Sequence, residues 1–228
     1  MYLPSVTDIR KFFIGELNDE AFTMDKTGQK TIELIGANFI ADEPVIFGKT
    51  NQYYVDAEIT WYENQSTNIH DIYGRDNQQP PPHAWQYAAN EHGEINSNYG
   101  YLIYHPRFYQ QYDQVLDELL NNPDSRRGTM IYTRPSIWKE YNDNDKNDFI
   151  CTNAVSYYIR DNRLDCVVQM RSNDVVFGYK NDYAWQEFVL RKLASDISFS
   201  RGEEIESGYI HWQVQNLHVY ERHFKLVK

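Results

Sequence analysis

Residues 151–186, CTNAVSYYIRDNRLDCVVQMRSNDVVFGYKNDYAWQ, hold the densest group of chemically useful side chains: Cys151, the pair Arg171-Ser172, and Asp182 shortly after Gly178. The stretch also sets a local architecture. Runs 150–159 and 164–170 are rich in Val, Ile and Tyr and read as strands, joined by the polar turn Arg160-Asp161-Asn162-Arg163. A helix is expected to follow over about 182–195.

Working upstream, the polar and acidic run 134–148 reads as a surface loop that follows a strand over 129–133. Arg126 and Arg127 precede that strand, just after Asn122-Pro123-Asp124-Ser125, a stop signal for a helix over about 108–120. Paired arginines in such a place are ordinarily solvated, but their forked donors also suit a phosphate. Asn96-Ser97-Asn98-Tyr99-Gly100 is turn chemistry expected to lead into an apolar strand, after a short helical piece from Trp85 to Gly93. A helix over about 51–63 puts Val55, Ile59 and Tyr62 on one face. Glu58 borders that face and is either a half-exposed surface carboxylate or a group aimed into a pocket.

Nearer the N-terminus, Asp8 is expected to cap a helix carrying Ile9, Phe12, Phe13 and Leu17. Lys26 lies in a turn before a strand over 31–35, which Gly36 separates from a second extended segment ending near Ala41. Downstream, 199–207 reads as a charged loop, and strand-like runs 209–214 and 217–220 complete the pattern.

A chain of 228 residues can bury a real core without disulfides or metal, and with neither repeats nor a linker it is expected to form one domain over 1–228. Hydrophobic content of 41% excludes a disordered chain. The 19 tyrosines, 11 phenylalanines and 5 tryptophans supply many rings with polar tips, suited to half-buried clefts. A formal net charge of −11 argues against a nucleic acid partner, since affinity there comes largely from Lys and Arg on phosphates; a small phosphorylated substrate needs only a local cluster of cations. Cys151 and Cys166 lack CxxC or Cys/His spacing, and His70, His83 and His92 lack metal-ligand spacing, so neither a disulfide framework nor a metal is expected. With no signal-peptide pattern and no long apolar run, a cytoplasmic protein without a membrane partner is expected.

The segments Asp124-Ser125-Arg126-Arg127, Cys151, Gln169 to Asp174 through Gly178, and Leu217-His218-Val219-Tyr220 with His223 together resemble the thymidylate synthase family in order and spacing. Within it the likeness is to the phage deoxycytidylate hydroxymethylase branch of the T-even type. It is carried by GEINSNYG (93–100), NPDSRRGTMIYTRPS (122–136) and RSNDVVFGYKNDYAWQ (171–186). The resemblance implies an α/β (α+β) fold with a large mixed sheet and a homodimer formed by sheets packed back to back. It also implies a one-carbon transfer from 5,10-methylenetetrahydrofolate, with water, to C5 of dCMP, in the cytoplasm of an infected bacterium.

In family terms, Cys151 is the nucleophile toward pyrimidine C6, although a strand cysteine is otherwise most often a small buried hydrophobe. Glu58 aligns with the glutamate that organises water and relays protons, and Tyr99 with a tyrosine implicated in proton removal. Lys26, Arg171 and Ser172 are implied to hold the phosphate from the same subunit, Arg126 and Arg127 from the partner subunit. Lys26 stands where synthases carry Arg, which keeps the charge and loses the fork. His218 and Tyr220 are implied at the deoxyribose, Trp85, Asp174 and Gly178 at the folate; His223 is either of that site or structural. Asp182 occupies the base-reading position, Asn in uracil-specific relatives, so a carboxyl there points to cytosine; read alone, it is also a good helix N-cap.

The competing readings are a methylating synthase on dUMP or dCMP, hydroxymethylation of CMP or dUMP, and a catalytically silent regulatory dimer. Five residues follow His223 where the family continues further, which implies either a more open folate site or a tail whose job another segment performs.

Overall fold

The computed structural model describes residues 3–25, 28–74 and 76–228. In chain order the helices are α1 (Val6–Asn18), α2 (Gln52–Glu63), α3 (His83–Ala88), α4 (Tyr99–Tyr104), α5 (Gln111–Asn121), α6 (Ile137–Glu140) and α7 (Gly178–Arg201). The strands are β1 (Thr23–Met24), β2 (Lys30–Ile40), β3 (Thr129–Ile131), β4 (Thr152–Arg160), β5 (Arg163–Asp174) and β6 (Glu206–Tyr220), hydrogen-bonded in the order β1-β2-β6-β5-β4-β3. The sheet is mixed: β2 runs antiparallel to β6, and β5 parallel to it. Two compact units divide the chain, one made of the residues up to Thr50 with Ser156–Lys228, the other of Asn51–Val155.

In the first unit, β6 is the hub. It pairs with β2 from Thr31↔Tyr220 to Ile40↔His211 and with β5 from Arg163↔Glu206 to Asp174↔His218. This double pairing is why 209–220 forms one strand instead of the two expected: Asn216, at the polar interruption, is flanked by Ile35 and Ser172. Likewise Gly36 does not break β2. Its φ of +73° is readily adopted by glycine, and the pairs on either side, Ile35↔Asn216 and Ala37↔Val214, stay in register.

Asp161 and Asn162, with φ of 51° and 57°, form the two-residue link between β4 and β5, a conformation that Asn and Asp tolerate and that matches strand twist. α7 packs across β5 and β6, burying Val189, Leu193 and Ile197, while Tyr179 meets Trp212 edge-on at 5.2 Å. α1 lies on β2 with Val6, Ile9 and Phe13 buried; Ser5 is its cap, and Asp8 completes a capping box from the third helical position.

The second unit departs most from expectation. The run Tyr-Leu-Ile-Tyr at 101–104, expected as a strand, belongs to α4. Asn98 decides this by accepting from Tyr101 N at 2.7 Å as an N-cap. Its amide also donates to Trp61 O at 3.2 Å and Ser66 O at 2.7 Å, tying the cap to the end of α2. Gly100 permits the approach, since a Cβ there would stand 1.8 Å from Tyr62 O.

The run 134–148 is not wholly a surface loop. It contains α6 and ends at Asp148, which is 6% exposed. Asp148 accepts from Asn96 N, Ser97 N and Ser97 Oγ at 2.6, 2.8 and 2.6 Å. Among the described residues, no helix is long and apolar enough to cross a membrane.

Candidate active site

In the second unit, α2 begins at its cap Asn51 and turns Tyr54, Val55, Glu58, Trp61 and Tyr62 inward. Glu58 is 5% exposed, which settles its reading toward the buried side. Tyr54 Oη donates to Glu58 Oε1 in a short hydrogen bond, and Trp85 Nε1, from α3, reaches Tyr54 Oη at 2.9 Å and Glu58 Oε1 at 3.1 Å. Burial pushes the Glu58 carboxyl up to about 7, although the Tyr54 and Trp85 hydrogen bonds favour its charged form. A carboxylate so placed exchanges protons near neutrality.

Trp61 meets Trp85 edge-on at 5.2 Å, and Tyr99 stacks on Tyr62 at 5.5 Å. Tyr99 is therefore fixed by the same helix that carries Glu58, and the Gly100 approach sets that distance. Cys151 lies three residues after the buried Asp148 and directly before β4. It is half-buried, with Sγ 3.8 Å from Phe149 O, whereas burial raises the thiol of Cys166. The same loop that buries Asp148 against Asn96 and Ser97 thus anchors the start of the cysteine strand.

Arg126 and Arg127 stand exposed after α5. Arg127 forms an ion pair with Glu118 at 2.9 Å, and Ser125 Oγ donates to the same Glu118 oxygen at 2.6 Å. An exposed pair of this kind is worth little stability.

In the first unit, β5 carries Arg171, Ser172 and Asp174, α7 carries Gly178 and Asp182, and β6 carries His218 and Tyr220. Parallel pairing sets Ser172 beside Asn216 and Asp174 beside His218. His218 is 8% exposed and meets Tyr220 edge-on at 4.8 Å; burial lowers its pKa, with Asp174 opposing. Asp182 does not cap α7. Phe177 precedes the helix without a side-chain cap, and Asp182 sits a turn inside it, where Asn173 Nδ2 donates to its Oδ2 at 2.7 Å.

Gly178 allows this contact, because a Cβ there would stand 3.0 Å from Asn173 Nδ2 and 3.4 Å from Asp174 Cβ. Asp174 Oδ1 accepts from Val176 N at 2.9 Å and Phe177 N at 2.6 Å. Burial works to raise the Asp174 carboxyl, but His223 and these backbone donors outweigh it and hold it below the usual carboxylate range. His223 Nδ1 is 3.8 Å from Asp174 Oδ2, too long for a hydrogen bond. Lys26 lies outside the described residues.

Sequence reasoning missed three residues of these clusters. Tyr54 carried a signal, its i, i+4 spacing from Glu58 on a helix. Asn173 and Asp148 carried none, because their partners come from other elements. Among the described residues, no group of three or more His, Cys, Asp or Glu side chains could hold a metal.

A carboxyl poised near neutrality can exchange protons, and a half-buried thiol at a strand entrance is a group able to act as a nucleophile. A family model described as thymidylate synthase matches residues 16–228, and the chain belongs to the thymidylate synthase family. Deoxycytidylate 5-hydroxymethyltransferase of Enterobacteria phage T4 is 51% identical over 224 residues, covering 98% of this chain and 89% of the phage protein. The enzyme of the same description from phage T6 matches to the same extent. Thymidylate synthase of Corynebacterium aurimucosum is 27% identical, covering 90% of this chain and 74% of that protein. The crystal structure of thymidylate synthase from T4 phage shares the fold, with a TM-score of 0.72 at 21% identity over 92% of this chain and 77% of that one.

Proposed function

We propose that the protein acts as a deoxycytidylate 5-hydroxymethylase, adding a one-carbon unit and water to C5 of dCMP. Its likeness to phage enzymes of that description supports the reaction. The observation that carries the choice of base is Asp182, a carboxylate inside α7 held by Asn173 and not spent as a helix cap.

Cys151 Sγ adds to C6 of the pyrimidine, forming a carbon–sulfur bond as the C5=C6 π pair moves toward C5. Asp182 accepts from the cytosine 4-amino group and shares a proton with N3, which a uracil-reading amide would not match. Arg171 and Ser172, with Lys26, bind the phosphate, and Arg126 and Arg127 reach it from a second copy in a homodimer. His218 and Tyr220 hold the deoxyribose. Tyr99 removes the C5 proton, and Glu58 directs water to the exocyclic methylene carbon while taking up the proton water loses; the electron pair returned to C5 re-forms the C5=C6 bond as the C6–Sγ bond breaks and Cys151 leaves as thiolate.

A folate fits the residues present. Asp174 Oδ2 is buried and accepts no hydrogen bond among the described residues, so it can receive one from a pterin N–H. Asp174, Gly178 and Trp85 would hold the group. When bound, 5,10-methylenetetrahydrofolate supplies the one-carbon unit at the oxidation level of formaldehyde.

The test is to incubate the protein with methylenetetrahydrofolate and dCMP, dUMP or CMP separately and weigh the products. The expected product is dCMP heavier by CH2O, without dihydrofolate absorbance. A product heavier by CH2 together with dihydrofolate, or turnover of dUMP and not dCMP, refutes the reading.

A further inference from the structure

We infer that Tyr54 is a positioning residue for Glu58: it keeps Oε1 as the accepting oxygen of the carboxyl, so that the catalytic proton is taken up and released at Oε2. The inference rests on the role proposed above for Glu58.

Tyr54 and Glu58 are four residues apart on α2 and so share a face one turn apart. Both are buried, at 9% and 5% exposure. The tyrosine's backbone is set by the helix cap, Tyr54 N donating to Asn51 Oδ1 at 3.3 Å. Its ring is braced by Tyr73, edge-on at 6.3 Å, which in turn stacks on Tyr53 at 5.7 Å.

The deciding contact is the indole. A tryptophan N–H can only donate, and Trp85 Nε1 lies 2.9 Å from Tyr54 Oη and 3.1 Å from Glu58 Oε1. Tyr54 Oη, with a lone pair turned to the indole, directs its own proton to Glu58 Oε1. Two donors therefore converge on one carboxyl oxygen. An sp² oxygen has two in-plane lone pairs, and with both engaged it is the poorer site for a proton.

Within this unit, the titratable groups acting on the pair are Tyr54 and Glu58 on each other and Tyr73 on Tyr54. Neutral donors, instead of a cation, thus stabilise the Glu58 carboxylate. An ion pair would hold the carboxyl ionised far below neutrality, whereas two neutral hydrogen bonds leave both protonation states accessible during turnover.

Tyr54→Phe removes one donor and keeps the ring. The expected kcat for dCMP falls roughly ten- to hundredfold, the scale of one hydrogen bond to a charged group. The KM stays within about threefold, because the lost contact is not made to substrate. The acid limb of kcat moves up by roughly one pH unit, since the donor removed had favoured the carboxylate.

A second readout needs no turnover. In protein labelled with 13C at glutamate carboxyl carbons, the Glu58 resonance, identified by its loss in Glu58→Gln, should titrate at higher pH in Tyr54→Phe. Trp85→Phe, read by the carboxyl titration alone because Trp85 is also assigned to the folate, should move that titration the same way, and it tests the two-donor arrangement if Tyr54→Phe does not fold. A pH profile and a carboxyl titration that superimpose on those of the unmodified protein overturn the inference. Failure of the unmodified protein to turn over dCMP would instead refute the function, while the carboxyl titration still tests the clamp.

Discussion

Asp182→Asn is the substitution that most directly separates cytosine from uracil recognition. In the structure Asn173 Nδ2 donates to Asp182 Oδ2 at 2.7 Å. An amide at position 182 would meet the same donor, which requires its oxygen in the place of Oδ2 and its NH2 in the place of Oδ1. The neighbouring Asn173 thus dictates the orientation of the new side chain. That NH2 donates to uracil O4 and opposes the cytosine amino group, so one polar contact is lost for dCMP and one is gained for dUMP. At about 2 kcal/mol for each matched or mismatched buried contact, the ratio of kcat/KM for dCMP over dUMP should swing by roughly a thousandfold toward dUMP. Competition between the two nucleotides, followed by tritium release from C5, measures that ratio directly. A ratio unchanged in Asp182→Asn, with the variant folded, would refute base reading by this residue.

Two further outcomes follow from burial. The Glu58 carboxyl, at about 7 when folded against an ordinary value of 4.5, takes up a proton on folding between those values. Its stabilising share is complete below about 4.5 and is lost as pH rises through about 7. At pH 8 the ionised side chain therefore destabilises the fold by up to about 3 kcal/mol. Glu58→Gln should abolish turnover yet raise stability at pH 8 relative to pH 5; denaturant melts at the two pH values would show it, and parallel pH trends in both proteins would contradict it. Gly100→Ala would set a Cβ 1.8 Å from Tyr62 O, driving α4 from α2 and straining the bonds from Asn98 to Trp61 O and Ser66 O. A loss of about 3 kcal/mol or more is expected in denaturant unfolding, and unchanged stability would contradict the close approach.

Much of the frame was legible locally. The two-residue turn at Asp161 and Asn162, the extent of α2, and the strands on either side of the turn follow from residue type and spacing. Family resemblance added the fold and a roster of site residues, which local pattern alone would have left as solvated arginines or core rings. Local reading failed where a distant element overrode propensity. The apolar run after Gly100 has the composition of a strand, yet Asn98 and the backbone of α2 make it a helix. The interruptions in β2 and β6 vanish because neighbouring strands complete their hydrogen bonds.

By itself the sequence determined the residue types at each chemical position: a thiol at 151, carboxyls at 58 and 182, and a phosphate-suited Arg-Ser pair at 171 and 172. Only the tertiary structure decided their chemical states and orientations. Burial brings the Glu58 carboxyl up to about 7, and Asn173, from a strand, holds Asp182 inside α7 where it does not cap the helix. The physical reason is that pKa and hydrogen-bond direction depend on what surrounds a side chain, and those surroundings come from residues distant in the chain.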